Sequence, residues 1–141
     1  MRTQYETETH LKNEDKFKSI MEEKYDCILQ KMHKHHIIDF IAIRDNKAVA
    51  WIEVKKLNRT FNQHPEVMLS VSKFMKGIQY SQATKLPFLF ATMMNDGTFI
   101  YEYNSAHKDI FTEWGGRTKN TRDQFDVEPV VKIPIEHFIK I

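Results

Sequence analysis

Ile37-Ile38-Asp39-Phe40-Ile41-Ala42-Ile43, Arg44-Asp45-Asn46-Lys47 and Ala48-Val49-Ala50-Trp51-Ile52-Glu53-Val54-Lys55 follow one another directly, and their reading decides the fold. The first stretch is apolar except for Asp39. The second has turn composition, and the third ends in a period-two alternation. Two strands joined by a tight turn make a β-hairpin. Because side chains alternate along a strand, Glu53 and Lys55 project from the same sheet face. Asp39 sits in the middle of the apolar strand beside them.

A lone carboxylate in such surroundings costs several kcal/mol or takes a shifted pKa, and two brought together raise that cost. A hard divalent cation between them removes it. Mg²⁺ suits such a place, since it favours carboxylate and carbonyl oxygens and keeps several waters. An ion so held polarises a phosphodiester and lowers the pKa of a bound water, with Lys55 beside it to orient that water or stabilise developing charge. An isolated Glu-x-Lys is ordinarily a solvent-exposed pair. The apolar-flanked Asp39 one strand earlier makes this combination unusual.

Working outward, residues 7–24 carry Leu11, Phe17, Ile20 and Met21 at near-helical spacing, with Thr7 or Thr9 to cap them, and Glu14 lies among them. Cys27-Ile28-Leu29 within residues 25–32 reads as a short strand. Residues 64–84 carry Val67, Met68, Val71, Phe74, Met75 and Ile78, a 3.6-residue stripe that predicts an amphipathic helix with Pro65 in its first turn. Residues 86–94 are nearly all apolar, as in a strand buried on both faces. Asn95-Asp96-Gly97 then turns the chain into a strand over 98–103. Residues 113–128, with Gly115-Gly116, read as a long polar loop. Val130-Val131-Lys132-Ile133 is a last short strand, and 135–141 a closing segment. The order predicts an α/β fold with a central mixed sheet flanked by helices, in one domain over 1–141.

Composition agrees. With 41% hydrophobic and 28% charged residues in 141, the chain has material for one hydrophobic core. No apolar run is long enough to span a bilayer, and the first residues lack the apolar stretch of a secretory signal. The single Cys27 leaves no internal disulfide and suits a reducing compartment. A net charge of +2 neither demands nor excludes a nucleic-acid partner.

The hairpin resembles the PD-(D/E)xK nuclease superfamily: Ile38-Asp39-Phe40, then Ile52-Glu53-Val54-Lys55, on consecutive strands between two helices. Ile38 stands where the family has proline, a departure that leaves the metal ligand intact. The resemblance implies a restriction-endonuclease-like αβββαβ core and a metal-dependent deoxyribonuclease. Asp39, Glu53 and the Val54 carbonyl would bind Mg²⁺, with Mn²⁺ able to substitute, and Asp39, Glu53 and Lys55 would form the catalytic set. Many members add a Glu from the first helix, which here points to Glu14. Similar nucleases often place a Lys or Gln on the second helix, reaching the site or a phosphate, which points to Lys73, with a solvated helix face as its equal alternative and the favoured reading for Gln79. The compact form looks like phage-encoded nucleases, Holliday-junction resolvases and small restriction-type domains. DNA is then the expected partner, in phage replication, recombination or repair, within the cytoplasm of a bacterial or phage-infected host cell. A homodimer is expected where two strands must be cut.

Lys56 and Arg59, just past the site strand, are expected to meet phosphates. Arg117, Lys119 and Arg122 make the 115–122 stretch basic and are expected to close over DNA, an ordinary solvated loop being the alternative. His33, His35 and His36 lack the closed four-ligand set of structural zinc. Cys27 has no obvious partner to activate it. Two other readings compete: a non-catalytic nucleic-acid-binding module on the same fold, and an interaction subunit using Trp51 and Trp114.

Overall fold

The computed structural model describes residues 8–33, 38–116 and 127–141. Helix α1 runs Glu8–Tyr25 and is followed by strands β1 (Ile28–Lys31), β2 (Phe40–Arg44) and β3 (Lys47–Lys56). Strand β4 (Glu66–Ser70) leads directly into helix α2 (Val71–Thr84), and then come β5 (Phe88–Met94) and β6 (Gly97–Glu102). Strands β7 (Phe111–Gly116), β8 (Val127–Pro134) and β9 (Phe138–Lys140) complete the fold. Six strands form one mixed sheet in the order β1-β2-β3-β5-β6-β9, and β4-β8-β7 form a smaller one.

Local chemistry sets the hairpins. Asp45 and Asn46 both take positive φ, 52° and 62°, as a two-residue turn matched to strand twist requires. Tyr25 and Asp26 close α1, and the Arg44 guanidinium ties their two carbonyls to the end of β2. Gly97 opens β6 at φ 148°, a conformation that residues with a Cβ rarely adopt.

Alternation along β3 sorts the core into two halves. Ala50 and Ile52 point to one face, where Phe17 and Met21 of α1 cover them with Leu29, Phe40, Ala91 and Ile100. The opposite face carries Phe88, Phe90, Phe99 and Tyr101 beneath Phe74 of α2 and the inner residues Val67, Leu69, Val131 and Ile133 of the smaller sheet. Strands β3 and β5 are parallel, with Glu53 opposite Phe90, so the connection through α2 crosses the sheet.

Two expectations are corrected. Residues 66–70 are strand, not the start of a helix: Val67 and Leu69 alternate inward and pair with Ile133 and Val131 of β8. Ser70 caps the helix, its side chain accepting the Lys73 amide, and Pro65 lies outside it. The expected loop over 113–128 begins and ends inside paired strands, Gly116 standing opposite Val127. Its middle, with Arg117, Lys119 and Arg122, lies outside the described residues, as do His35 and His36. Among the described residues no helix is long and apolar enough to cross a membrane.

Candidate active site

Strand β2 begins at Phe40, pairing with Ile52, so β3 runs on past it from Glu53 to Lys56 with one flank uncovered by β2. Asp39 stands at that opening. Its Oδ2 accepts the Val54 amide at 3.0 Å. A residue's N–H and C=O point the same way in an extended strand, so the Val54 carbonyl opens on the Asp39 side. The neighbouring amides Trp51 and Leu57 point the other way, to Pro87 and Met93 carbonyls of the β5 segment.

Glu53 is 1% exposed, the most buried charged side chain among the described residues. Oε2 accepts the Lys73 ammonium of α2 at 2.8 Å. Oε1 is buried and meets no donor. Burial first, and the Asp39 carboxylate second, push the Glu53 carboxyl up to about 8, against the opposing pull of Lys73. The Asp39 and Glu53 carboxyls thus lie close enough to act on each other, and Glu53 Oε1 takes no donor from the protein.

The shift has a measurable consequence. Between 4.5 and about 8, folded Glu53 keeps a proton that the unfolded chain has lost. Stability of the metal-free protein is therefore expected to fall as pH rises through that window, by at most about 1.4 kcal/mol per unit. Urea melts in EDTA at pH 5 and pH 8 check this, and Glu53→Gln should flatten the difference.

Lys55 shares the Glu53 face as expected, and its Nζ donates to the Met68 carbonyl of β4 at 3.0 Å. Asp39, Val54, Lys55, Lys56 and Lys73 line a cleft of about 290 Å³, closed on the α1 side by Asn13 and Glu14. The cleft sits at the carboxyl ends of the parallel strands β3 and β5, where open α/β sheets bind ligands.

Not every expected residue arrives. Glu14 lines the cleft, its buried Oε2 2.8 Å from Lys31 Nζ but without a hydrogen bond; among the described residues no group of three acids, histidines or cysteines is gathered for a metal. Lys73, expected at the site or on a phosphate, reaches the site. Arg59 turns inward: Nη2 donates to the Glu66 carbonyl, while Nη1 is buried without a partner. Gln79 is exposed on α2, the solvated helix face favoured for it. Trp51 packs on Tyr80 and donates to Thr84, which makes it part of the α2 seat rather than an open contact surface. Asn13 went unnoticed in the sequence; its one signal was its place beside Glu14 on the flank of α1.

An α/β sheet with an Asp at the end of one strand and Glu-x-Lys at the end of the next defines a PD-(D/E)xK fold. The chain belongs to the family described as "Phage putative PDDEXK endonuclease", which matches residues 1–141. No curated protein matches it by sequence.

Proposed function

We propose that this protein is a Mg²⁺-dependent deoxyribonuclease, with Mn²⁺ able to substitute. The observation that carries the reading is Glu53 Oε1, a buried oxygen with no donor, set beside a second carboxyl. Native interiors rarely keep such an atom without a ligand or a use for it. A hard cation fits this donor set of carboxylate and carbonyl oxygens. Asp39, Glu53 and the Val54 carbonyl would hold it. When bound, it supplies electrostatic polarisation of the phosphodiester and of the attacking water.

The chain's own residues do the rest. Lys73 pulls against the burial that drives Glu53 towards its protonated form, which eases loss of that proton when a cation binds. Lys55, anchored at Met68, presents a second ammonium on the same face, where it steadies the charge growing on the phosphate. Lys56, exposed at the mouth of the cleft, is placed to neutralise the nucleic-acid backbone.

Asp39→Ala and Lys55→Ala are expected to lose cleavage while circular dichroism shows the fold retained. The assay uses linear, single-stranded, nicked and four-way-junction DNA with Mg²⁺. Normal cutting by both variants on every substrate contradicts the reading.

A further inference from the structure

A second cavity, of about 400 Å³, adjoins the cleft and shares Asn13, Lys56 and Met93 with it. Its remaining walls are Lys16 and Ile20 of α1, Met94 and Thr98, the Asn95 and Gly97 corner between β5 and β6, and Ile141. The two cavities therefore adjoin as one trough, running from Asp39 past the ends of β3 and β5 to the β5–β6 turn.

Charge is divided along that trough. At one end the cations are engaged: Lys73 on Glu53 and Lys55 on the Met68 carbonyl. At the other end Lys16 and Lys56 are both exposed, and among the described residues neither takes part in an ion pair or hydrogen bond. Both line the cavity, Lys16 from α1 and Lys56 from the end of β3, together with the side-chain amides of Asn13 and Asn95. Acid is nearby but occupied: Glu14 pairs with Lys31, and Asp96 accepts the Phe61 amide. Phe17, fully buried next to Lys16, fixes the rotation of α1 and so the direction of the Asn13–Lys16–Ile20 flank.

Such a basic and amide-lined cavity, with apolar walls of Ile20, Met93, Met94 and Ile141, matches the chemistry of a nucleic-acid strand. We infer that Lys16, Lys56 and the Asn95 amide hold a phosphodiester of the substrate strand next to the one cut at Asp39 and Glu53. The strand then passes from the carboxyl pair toward the β5–β6 turn and along α1. This rests on the nuclease reading above and adds the direction of the strand and the residues that grip it.

The test measures binding of a fluorescein-labelled single-stranded decanucleotide by anisotropy, with EDTA present so that nothing is cut. On a single strand one phosphate contact carries a salt slope near 0.7, worth about fivefold in affinity at 0.1 M salt. Lys16→Ala is expected to weaken binding by about that factor and lower the salt slope by about 0.7. Asn95→Ala is expected to weaken binding without changing the slope, and Lys16→Arg to restore it. In Mg²⁺, Lys16→Ala should raise KM more than it lowers kcat. Mn²⁺ titrations of Lys16→Ala should match the wild type, which separates this subsite from the metal centre. Wild-type affinity and slope in both Lys16→Ala and Lys16→Glu overturn the inference, whatever becomes of the carboxyl pair. An unchanged affinity accompanied by an altered Mn²⁺ titration overturns it too, because Lys16 would then act through the metal centre.

Discussion

Glu53→Gln is expected to lower kcat/KM for DNA cleavage by about 10³-fold or more, some 4 kcal/mol of transition-state stabilisation. It should do so without costing stability. Gln has the same shape, removes a buried charge from beside Asp39, and offers an N–H where Oε1 now meets no donor. Lys73 loses its carboxylate, but it is about one-third exposed and remains solvated. In EDTA at pH 8, where wild-type Glu53 is strained by burial, the variant should unfold at an equal or higher urea midpoint. A loss of cleavage joined to a loss of stability would instead mark Glu53 as a structural residue. Kinetics with Mg²⁺ and urea melts on the same preparation distinguish the two.

Gly77→Ala is expected to damage the fold. Gly77 faces the ring of Phe88, and a Cβ there would lie 2.3 Å from Cε2 and Cζ. The ring is fully buried beneath α2 and has no space to withdraw into. Overpacking of this kind costs about 1–3 kcal/mol, more than the roughly 1 kcal/mol that replacing a helical glycine returns. The melting temperature should fall by several degrees, and Gly77→Val should be worse. Activity should fall as well, because Lys73 lies one turn earlier on the same helical face and reaches Glu53 only if α2 sits close to the sheet. Thermal melts and cleavage rates on the two variants check both effects.

That coupling explains what could be read from the sequence. The β2–β3 hairpin was legible because its information is local: turn residues at 44–47, alternation in β3, and an acid among apolar neighbours. The pairing of Asp39 with Glu53 followed from the same hairpin. Of the smaller sheet only the core of β8, residues 130–133, was legible, because the rest exists through contacts distant in sequence. Val67, Met68 and Val71 fit a helical stripe, and only pairing with Val131 and Ile133 shows that Val67 and Leu69 alternate as a strand. Gly115 and Gly116 carry loop composition, and β8 alone makes them strand.

The site divides in the same manner. Glu53 and Lys55 lie on β3 and Asp39 immediately precedes β2, and all three were found from spacing. Glu14 came from resemblance, and the structure places it on the cleft wall with Lys31 as its partner. The partner that Lys73 finds in Glu53 depends on the depth of α2 over Phe88, a property of packing. Lys16 and Asn13 enter only with the cavity that α1 closes.

The central claim is that two carboxyls and a strand carbonyl hold a divalent cation, and calorimetric titration of Mn²⁺ tests it most directly. The account predicts saturable binding by the wild type near pH 8, with proton release that grows as the pH is lowered through the range where Glu53 is protonated. Asp39→Ala and Glu53→Gln should remove that binding while remaining folded. Mn²⁺ binding unchanged in both variants, or absent from the wild type, would contradict it.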